Sequence, residues 1–327
     1  MINRRHLLLA PGALALPALV PAALAQAAFP NRPIRLVVAF PAGGPTDVLA
    51  RVIGERMAVD LGQPVVIENR GGANGNIAAE AVSKMDADGY NLLYNTSSIA
   101  ISRTLYKHLA YDVLRDLTPV ALTAAAPSLL VVNPALPVRN AAEFIAWARA
   151  NSGRISYSSG GVGNASHLQA FMVMKHIGAE AVHVPYRGTA AAMTDVAAGN
   201  VQFMSDALNT ALPLARGGQV RAIAVTTGRR SAQLPDIPTM AESGLMPPDS
   251  DSGIWQGIMA PAHTPAEAVA RLNQAVNAAL HEPAVAARID QMGAWPTGGT
   301  PQDYQRYLAA EIALWARVVP ETGASEE

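Results

Sequence analysis

Two glycine loops carry the residues whose types and spacing could do chemistry. Pro41-Ala-Gly-Gly-Pro45 leads into Thr46 and Asp47, and Ser158-Ser-Gly-Gly-Val-Gly-Asn-Ala-Ser166 leads into His167. Glycine allows backbone angles and close approaches that other residues resist. A helix starting just after such a turn aims free N–H groups and a positive end at the space above the preceding strand. The chemistry this favours is the holding of a small anion. Neither loop contains Lys or Arg, so an anion there depends on N–H groups, hydroxyls and water rather than an ion pair. Read singly, each is also an ordinary tight turn between strand and helix; the pairing points to two lobes facing across a cleft.

Each polar side chain has more than one use. Asp47 could serve as a general base, cap the helix, or hold loop and water. Ser158 and Ser159 could be nucleophiles, although no partner base is visible; they could equally bond a ligand or form the turn. Asn164 and Ser166 suit a helix cap or a ligand donor. His167 is a helix residue or a ligand contact. Asp206, at a strand end, could accept from a ligand amine or hydroxyl or be a solvated turn residue. Phe40 could lie under the ligand, and Arg187 and Arg221 could be salt-bridged surface residues.

Most signatures of catalysis are missing. The chain has no G-x-x-x-x-G-K-[ST] phosphate loop, no G-x-S-x-G nucleophile turn and no H-E-x-x-H helix. Gly161-Val-Gly163-Asn-Ala-Ser166 begins like a dinucleotide fingerprint but has serine at the third glycine position. His108, His167, His176, His183, His263 and His281 show no ligand-like spacing, so neither a metal nor a cofactor is expected. The chain has no cysteine, which excludes disulfides and thiolate chemistry. A formal net charge of −1 and no basic run argue against nucleic acid.

The elements that must position these loops alternate between strand and helix. Leu36 to Phe40 reads as a strand covered on both faces, and the helix after Asp47 as ending near Gly62. Strands follow at Pro64–Glu68 and Tyr90–Tyr94, with a helix at Ile77–Met85 between them. Asn69–Asn76 is a further glycine-rich connection, and the third strand ends in Asn95-Thr-Ser-Ser98. Such strand ends share one edge of a parallel sheet, the usual place for a ligand. Leu129–Val132 reads as the strand leaving the first domain, and Asn140–Glu143 as a capping box opening a helix. Beyond the second loop come a strand end near His183, a helix at Ala190–Ala198 and strands at Val201–Met204 and Arg221–Thr226. Residues 235–253 read as surface loop around a short helix. Trp255–Ala260 returns the chain to the first domain. Thr264–Glu267 reads as a capping box with Pro at the first helical position, and Thr300–Asp303 as the start of the last of three helices.

At the N-terminus, Arg4 and Arg5 precede an apolar run from Leu7 to Leu24, and Ala23-Leu-Ala25 fits a small-residue cleavage site. Residues 1–25 are expected to be a signal peptide, through either the general or the twin-arginine route. Its prolines make it a poor membrane helix, and no later stretch reads as a span. At 327 residues, 50% hydrophobic and 15% charged, the chain can bury two substantial cores.

Taken together, the stretches FPAGGPTDVLAR (40–51), ENRGGANGNIAAEAV (68–82), DGYNLLYNTSS (88–98), YSSGGVGNASHL (157–168), HVPYRGTAAAMTDVAAGNVQFMSDAL (183–208), LPDIPTMAESG (234–244) and WQGIMAPAHTP (255–265) closely resemble the Bug, or TctC-like, receptors of tripartite tricarboxylate transporters. The resemblance implies an α/β fold of the type II periplasmic-binding-protein class. Two α/β domains would flank a ligand cleft, joined by two hinge-crossing strands, and close on a small carboxylate partly through water. The expected division is residues 26–126 and 257–327 in domain 1 and 127–256 in domain 2. Carried onto this chain, the family's binding loops are Phe40, Ala42, Gly44, Thr46 and Asp47 on one side, and Ser158, Gly163, Asn164 and His167 on the other. Asp206 would stand near the variable end of the ligand. The implied protein is a monomeric periplasmic receptor, not an enzyme, which serves uptake or sensing, with the membrane permease subunits of a tripartite transporter as its implied partners. The competing reading is an exported α/β hydrolase or transferase using Asp47 or Ser158.

Overall fold

The computed structural model describes residues 29–248 and 250–326; the expected signal peptide lies outside them. Eleven strands among these residues form two sheets. They are β1 (Ile34–Val38), β2 (Val65–Asn69), β3 (Asn91–Thr96), β4 (Leu117–Ala126), β5 (Ser128–Val132), β6 (Ser156–Ser159), β7 (Val182–Pro185), β8 (Phe203–Ala207), β9 (Arg221–Val225), β10 (Ile254–Pro261) and β11 (Trp295–Gly298). The first sheet has the order β11-β4-β10-β3-β1-β2, the second β7-β6-β8-β5-β9. In the first, β2, β1 and β3 run parallel and β10 runs against β3. In the second, β7, β6 and β8 run parallel, and β5 runs against both β8 and β9.

Both sheets are covered on both faces, which is why their central strands are continuous apolar runs rather than alternating ones. In β1, Ile34, Leu36 and Val38 join one core with Leu49, Ile53 and Leu272. Val37 and the following Ala39 join the opposite one with Leu93, Trp255 and Tyr304. β5 divides likewise, Leu130 and Val132 to one side, Leu129 and Val131 to the other.

The chain leaves the first sheet after Ala126 and enters the second at Ser128, with Pro127 alone between them. It returns through residues 226–253. The two crossings lie side by side: Ser128 N donates to Thr226 Oγ1 (2.9 Å), and Ser252 N donates to Thr226 O (3.1 Å). The ends of β1, β2 and β3 are aligned, Val38 opposite both Asn69 and Tyr94. The loops that follow them therefore share one edge, as do those after β6, β7 and β8.

Several local expectations change. Thr46 and Asp47 do not cap the first helix, Pro45–Leu61; Gly44 is its N-cap and Pro45 takes the first helical position, leaving both side chains buried in the first turn. Thr264 forms no capping box: its hydroxyl donates to Pro261 O (2.8 Å), and the helix Ala266–His281 begins after Pro265. The boxes at Asn140 and Thr300 do accept their N3 amides, at 2.9 and 3.1 Å. Residues 235–248 form turns without a helix and 250–253 are irregular, and Met240, Leu245 and Met246 plug a core rather than lie on the surface. The helices Ser98–Leu105 and Leu208–Arg216 and strand β4 had no expected counterpart. β4 carries Pro119 and ends in three alanines, and Leu208–Arg216 contains Pro213, so the local pattern of each is weak.

Candidate functional site

Asp47 organises the first loop. Its side chain is 2% exposed. Oδ2 accepts from Gly43 N (2.9 Å) and Arg51 Nε (2.9 Å), and Oδ1 accepts from Asn69 Nδ2 (2.8 Å). The same Asn69 amide donates to Phe40 O (3.0 Å), so one carboxylate fixes both ends of the loop. The Arg51 hydrogen bond, with help from Gly43 and Asn69, outweighs burial and holds the carboxyl down at about 2. A group so acidic is a poor general base at neutral pH. Gly43 has φ +82°, which suits glycine and turns its N–H inward onto Asp47.

The second loop is held by neutral groups. Asn164 caps the helix Ala165–His176, accepting from Ser166 N (2.9 Å). Ser166 Oγ in turn accepts from Gly160 N (3.0 Å). His167 Nδ1 accepts from Gly163 N (3.1 Å). Burial, followed by the nearby His183, lowers His167 to about 4, so its ring is neutral and accepts at Nδ1. Ser158 is fully buried, and its hydroxyl donates to Ala192 O (3.2 Å) with no base beside it. Asp206 is 5% exposed and accepts from Thr210 Oγ1 (2.6 Å); burial pushes its carboxyl up. Arg221 donates to the carbonyls of Val138 (2.6 Å) and Leu136 (3.4 Å) rather than to a carboxylate.

Between the loops lies a cavity of about 130 Å³, with walls from both lobes. Phe40, Gly163 and Asn164 line it as the sequence suggests. Ala42, Gly44, Thr46, Asp47, Ser158, His167 and Asp206 stand outside its lining; Asp47 and His167 reach it through the loops they hold. The opposite wall is Asn74, Thr96, Ser97, Ser98 and Ile101, none of them singled out above. Their signal was the end of β3 at a shared sheet edge, together with an Asn inside a glycine run. Asn74 adopts the left-handed φ of +54°, and its carbonyl accepts from Ser98 Oγ (2.8 Å).

Three helices begin at this cavity: Asn76–Ser83 behind Asn74, Ser98–Leu105, and Ala165–His176. No Lys or Arg is among the lining residues. The arrangement suits an anion held by aligned N–H groups and hydroxyls. A larger groove of about 440 Å³ opens between the helices Ala165–His176 and Pro301–Glu321. Its walls are apolar at Phe171, Met172, Leu314 and Val318 and charged at Lys175, Arg317 and Glu321, and it lies at the C-terminal ends of both helices, away from their N–H groups. Among the described residues no cluster of three or more His, Cys, Asp or Glu could hold a metal, and no helix is long and apolar enough to cross a membrane.

The sequence profile of the tripartite tricarboxylate transporter family receptor matches residues 49–324. The chain belongs to this family. Three solved structures resemble this TctC-family chain along most of its length. R. palustris Rpa4515, solved with adipate, is 39% identical with a TM-score of 0.78, covering 91% of this chain and 99% of that one. The periplasmic binding protein BugD is 34% identical with a TM-score of 0.75, covering 91% and 100%. MatC from Rhodopseudomonas palustris, solved with malate, is 34% identical with a TM-score of 0.73, covering 89% and 100%. The TctC-family fold here is the two-domain α/β arrangement of periplasmic solute-binding proteins, and the chain is a solute receptor, not an enzyme. The hydrolase or transferase reading fails on that ground; the acidity of Asp47 and the engagement of Ser158 point the same way.

Proposed function

We propose that this receptor binds a small organic carboxylate in the cleft between its lobes and releases it to membrane permease subunits or a sensor. The carrying observation is the convergence of three helix starts on a cavity lined without any cation. A carboxylate there exchanges water for main-chain N–H groups and the hydroxyl of Ser97, while the hydroxyls of Thr96 and Ser98, bonded to each other and to Asn74 O, hold that wall in shape. The first loop contributes through Phe40, Ala42, Gly44 and Thr46, with Asp47 as its brace; the second contributes Gly163 and Asn164. With donors on opposite walls, the ligand stabilises the closed arrangement in proportion to its preference for it. Adipate and malate, the ligands of two relatives, are both dicarboxylates, and the small cavity favours a short one.

In this reading residues 26–126 and 257–327 move as one domain and 127–256 as the other, about the paired crossings. The mature chain begins near Gln26 and acts as a monomer in the periplasm. The test is mass spectrometry of small molecules released on denaturing freshly purified protein, followed by calorimetry with a carboxylate series. A stoichiometric carboxylate that rebinds unchanged supports the proposal. A released nucleotide, or saturable binding only of uncharged solutes, refutes it. A carboxylate at about 100 times its Kd should raise stability by about 2.7 kcal/mol.

A further inference from the structure

One residue outside the cavity touches both anchors of the second loop. His183 lies in β7, the edge strand of the second sheet, paired with Tyr157 of β6. Its ring lies face to face on His167, with centroids 3.7 Å apart and planes 5° apart. Tyr157 stacks beside them, 5.0 Å from His183 and 6.1 Å from His167. His183 Nε2 is hydrogen-bonded to Ser159 Oγ at 2.6 Å. Ser159 Oγ accepts from Gly161 N (3.2 Å) and donates to Gly161 O (3.0 Å), which leaves His183 Nε2–H as the donor to Ser159, and His167 Nδ1 accepts from Gly163 N (3.1 Å). The amides at the two ends of the Gly161–Gly163 turn thus hang on side chains that His183 contacts.

We propose that His183 is the positioning residue of the second ligand loop, fixing Gly161 through Ser159 and Gly163 through His167, and that protonation of the stacked histidines releases the loop. The assignment of these amides to ligand binding rests on the carboxylate reading of the cleft. An imidazole nitrogen accepts a hydrogen bond only while unprotonated. A proton taken from water at His167 Nδ1 would set an N–H against the N–H of Gly163. A charge on His183 would set a cation 3.7 Å from its neighbour ring. The titratable groups facing the pair from the packed elements are Tyr157 and the two imidazoles themselves, and no Asp, Glu, Lys or Arg hydrogen-bonds either ring among the described residues. Burial lowers both histidines to about 4, so the pair stays neutral at pH 7 and charges in acid.

The test follows the amides directly and needs no ligand. Protection factors of Gly161 and Gly163 and the imidazole ¹⁵N shifts are measured by NMR from pH 7.5 to about 3 in wild type, His183→Ala and His183→Gln. In wild type the protection of both amides should fall together as the imidazoles protonate. His183→Ala should lower it at pH 7.5 by about tenfold, the loss of one hydrogen bond's support. His183→Gln, which keeps a partner for Ser159, should restore Gly161 at pH 7.5 and shrink the acid step. Equal protection in wild type and His183→Ala overturns the proposal. Should His183→Ala fail to fold, wild type decides: unchanged Gly163 protection through imidazole titration overturns it. Calorimetry with sodium malate and sodium adipate runs in parallel. Should wild type bind neither, the carboxylate reading loses its support while the amide data still decide the role of His183.

Discussion

The two glycine loops share a shape and differ in how they are held. The first is braced by charge: a buried carboxylate joined to a guanidinium, an amide side chain and a backbone N–H. The second is braced by neutral acceptors: Asn164, Ser166, Ser159 and a pair of stacked imidazoles. Each spends its polar side chains on its own backbone and keeps Lys and Arg out of the cavity lining. The lesson concerns robustness. A carboxylate pulled down to about 2 keeps its bonds across the whole physiological range, whereas neutral His167 loses the bond it accepts at Nδ1 once acid protonates it.

The largest effect should come from removing the charged brace. Asp47→Ala leaves the Gly43 amide, the Asn69 amide and Arg51 without their acceptor. Loss of a buried charge-assisted network costs on the order of 3 kcal/mol, which urea unfolding would measure. Asp47→Asn, keeping shape but not charge, should lose less, and both should weaken ligand binding with no turnover involved. A loss below about 0.5 kcal/mol for Asp47→Ala would mean that the first loop does not depend on charge.

A smaller effect is expected at Gly163, which has φ +69° and where a Cβ would fall 2.4 Å from Leu105 Cδ1 in the facing lobe. Gly163→Ala should cost about 2 kcal/mol in ligand affinity, from backbone strain and from wedging the lobes apart. Solution scattering should show a more open receptor, and Leu105→Ala in the same chain should recover part of the loss. Full affinity in Gly163→Ala would show that the second loop does not approach Leu105 this closely when loaded.

Much of this architecture is legible in the sequence because the parallel strands are apolar runs bounded by glycine, and the capping residues at Asn140, Asn164 and Thr300 form the bonds their types suggest. What stays hidden is tertiary. Asp47 reads as a cap, but Pro45 claims the helix start and frees the carboxylate to brace the loop. Thr96, Ser97 and Ser98 become a wall only when β3 is aligned beside β1. His183 is an isolated histidine until β7 pairs with β6 and sets it on His167.

Acid titration separates the two braces. A histidine lowered to about 4 is neutral in the native state while its unfolded counterpart, near 6.5, already binds protons. Stability therefore falls as pH drops from about 6.5 to 4 and levels off below. With His183 half-buried and the two sites coupled, the loss should be about 1–2 kcal/mol over this window. Asp47 acts lower, its contribution lost only as pH falls from 3.8 towards 2. Asp206, pushed up by burial, works with the opposite sign, favouring the folded state on the acid side. Urea unfolding at half-unit steps of pH should show the upper step shrink in His167→Gln, which leaves His183, and vanish when both histidines are replaced by Gln, with the lower step intact. A single step near pH 3 in wild type would remove the distinction between the loops.

The smallest effect lies at the far end of the helix that starts at the second loop. Ala165 and Leu168 on that helix pack into the core of the facing lobe, and one residue before the helix ends Lys175 forms an ion pair with Glu321 across the larger groove. The two ends of one helix thus offer a second contrast: a buried backbone approach at Gly163 and an exposed ion pair at Lys175. Exposed pairs contribute little and are screened by salt. Lys175→Ala should therefore change ligand affinity by less than about fivefold, a difference that disappears in half-molar salt, and Glu321→Lys combined with Lys175→Glu should restore it. The groove stays bridged only while the lobes are together, so the pair contributes to closure without touching ligand. A change as large as that of Gly163→Ala would mean that the lobes are latched at the groove rather than at the loops.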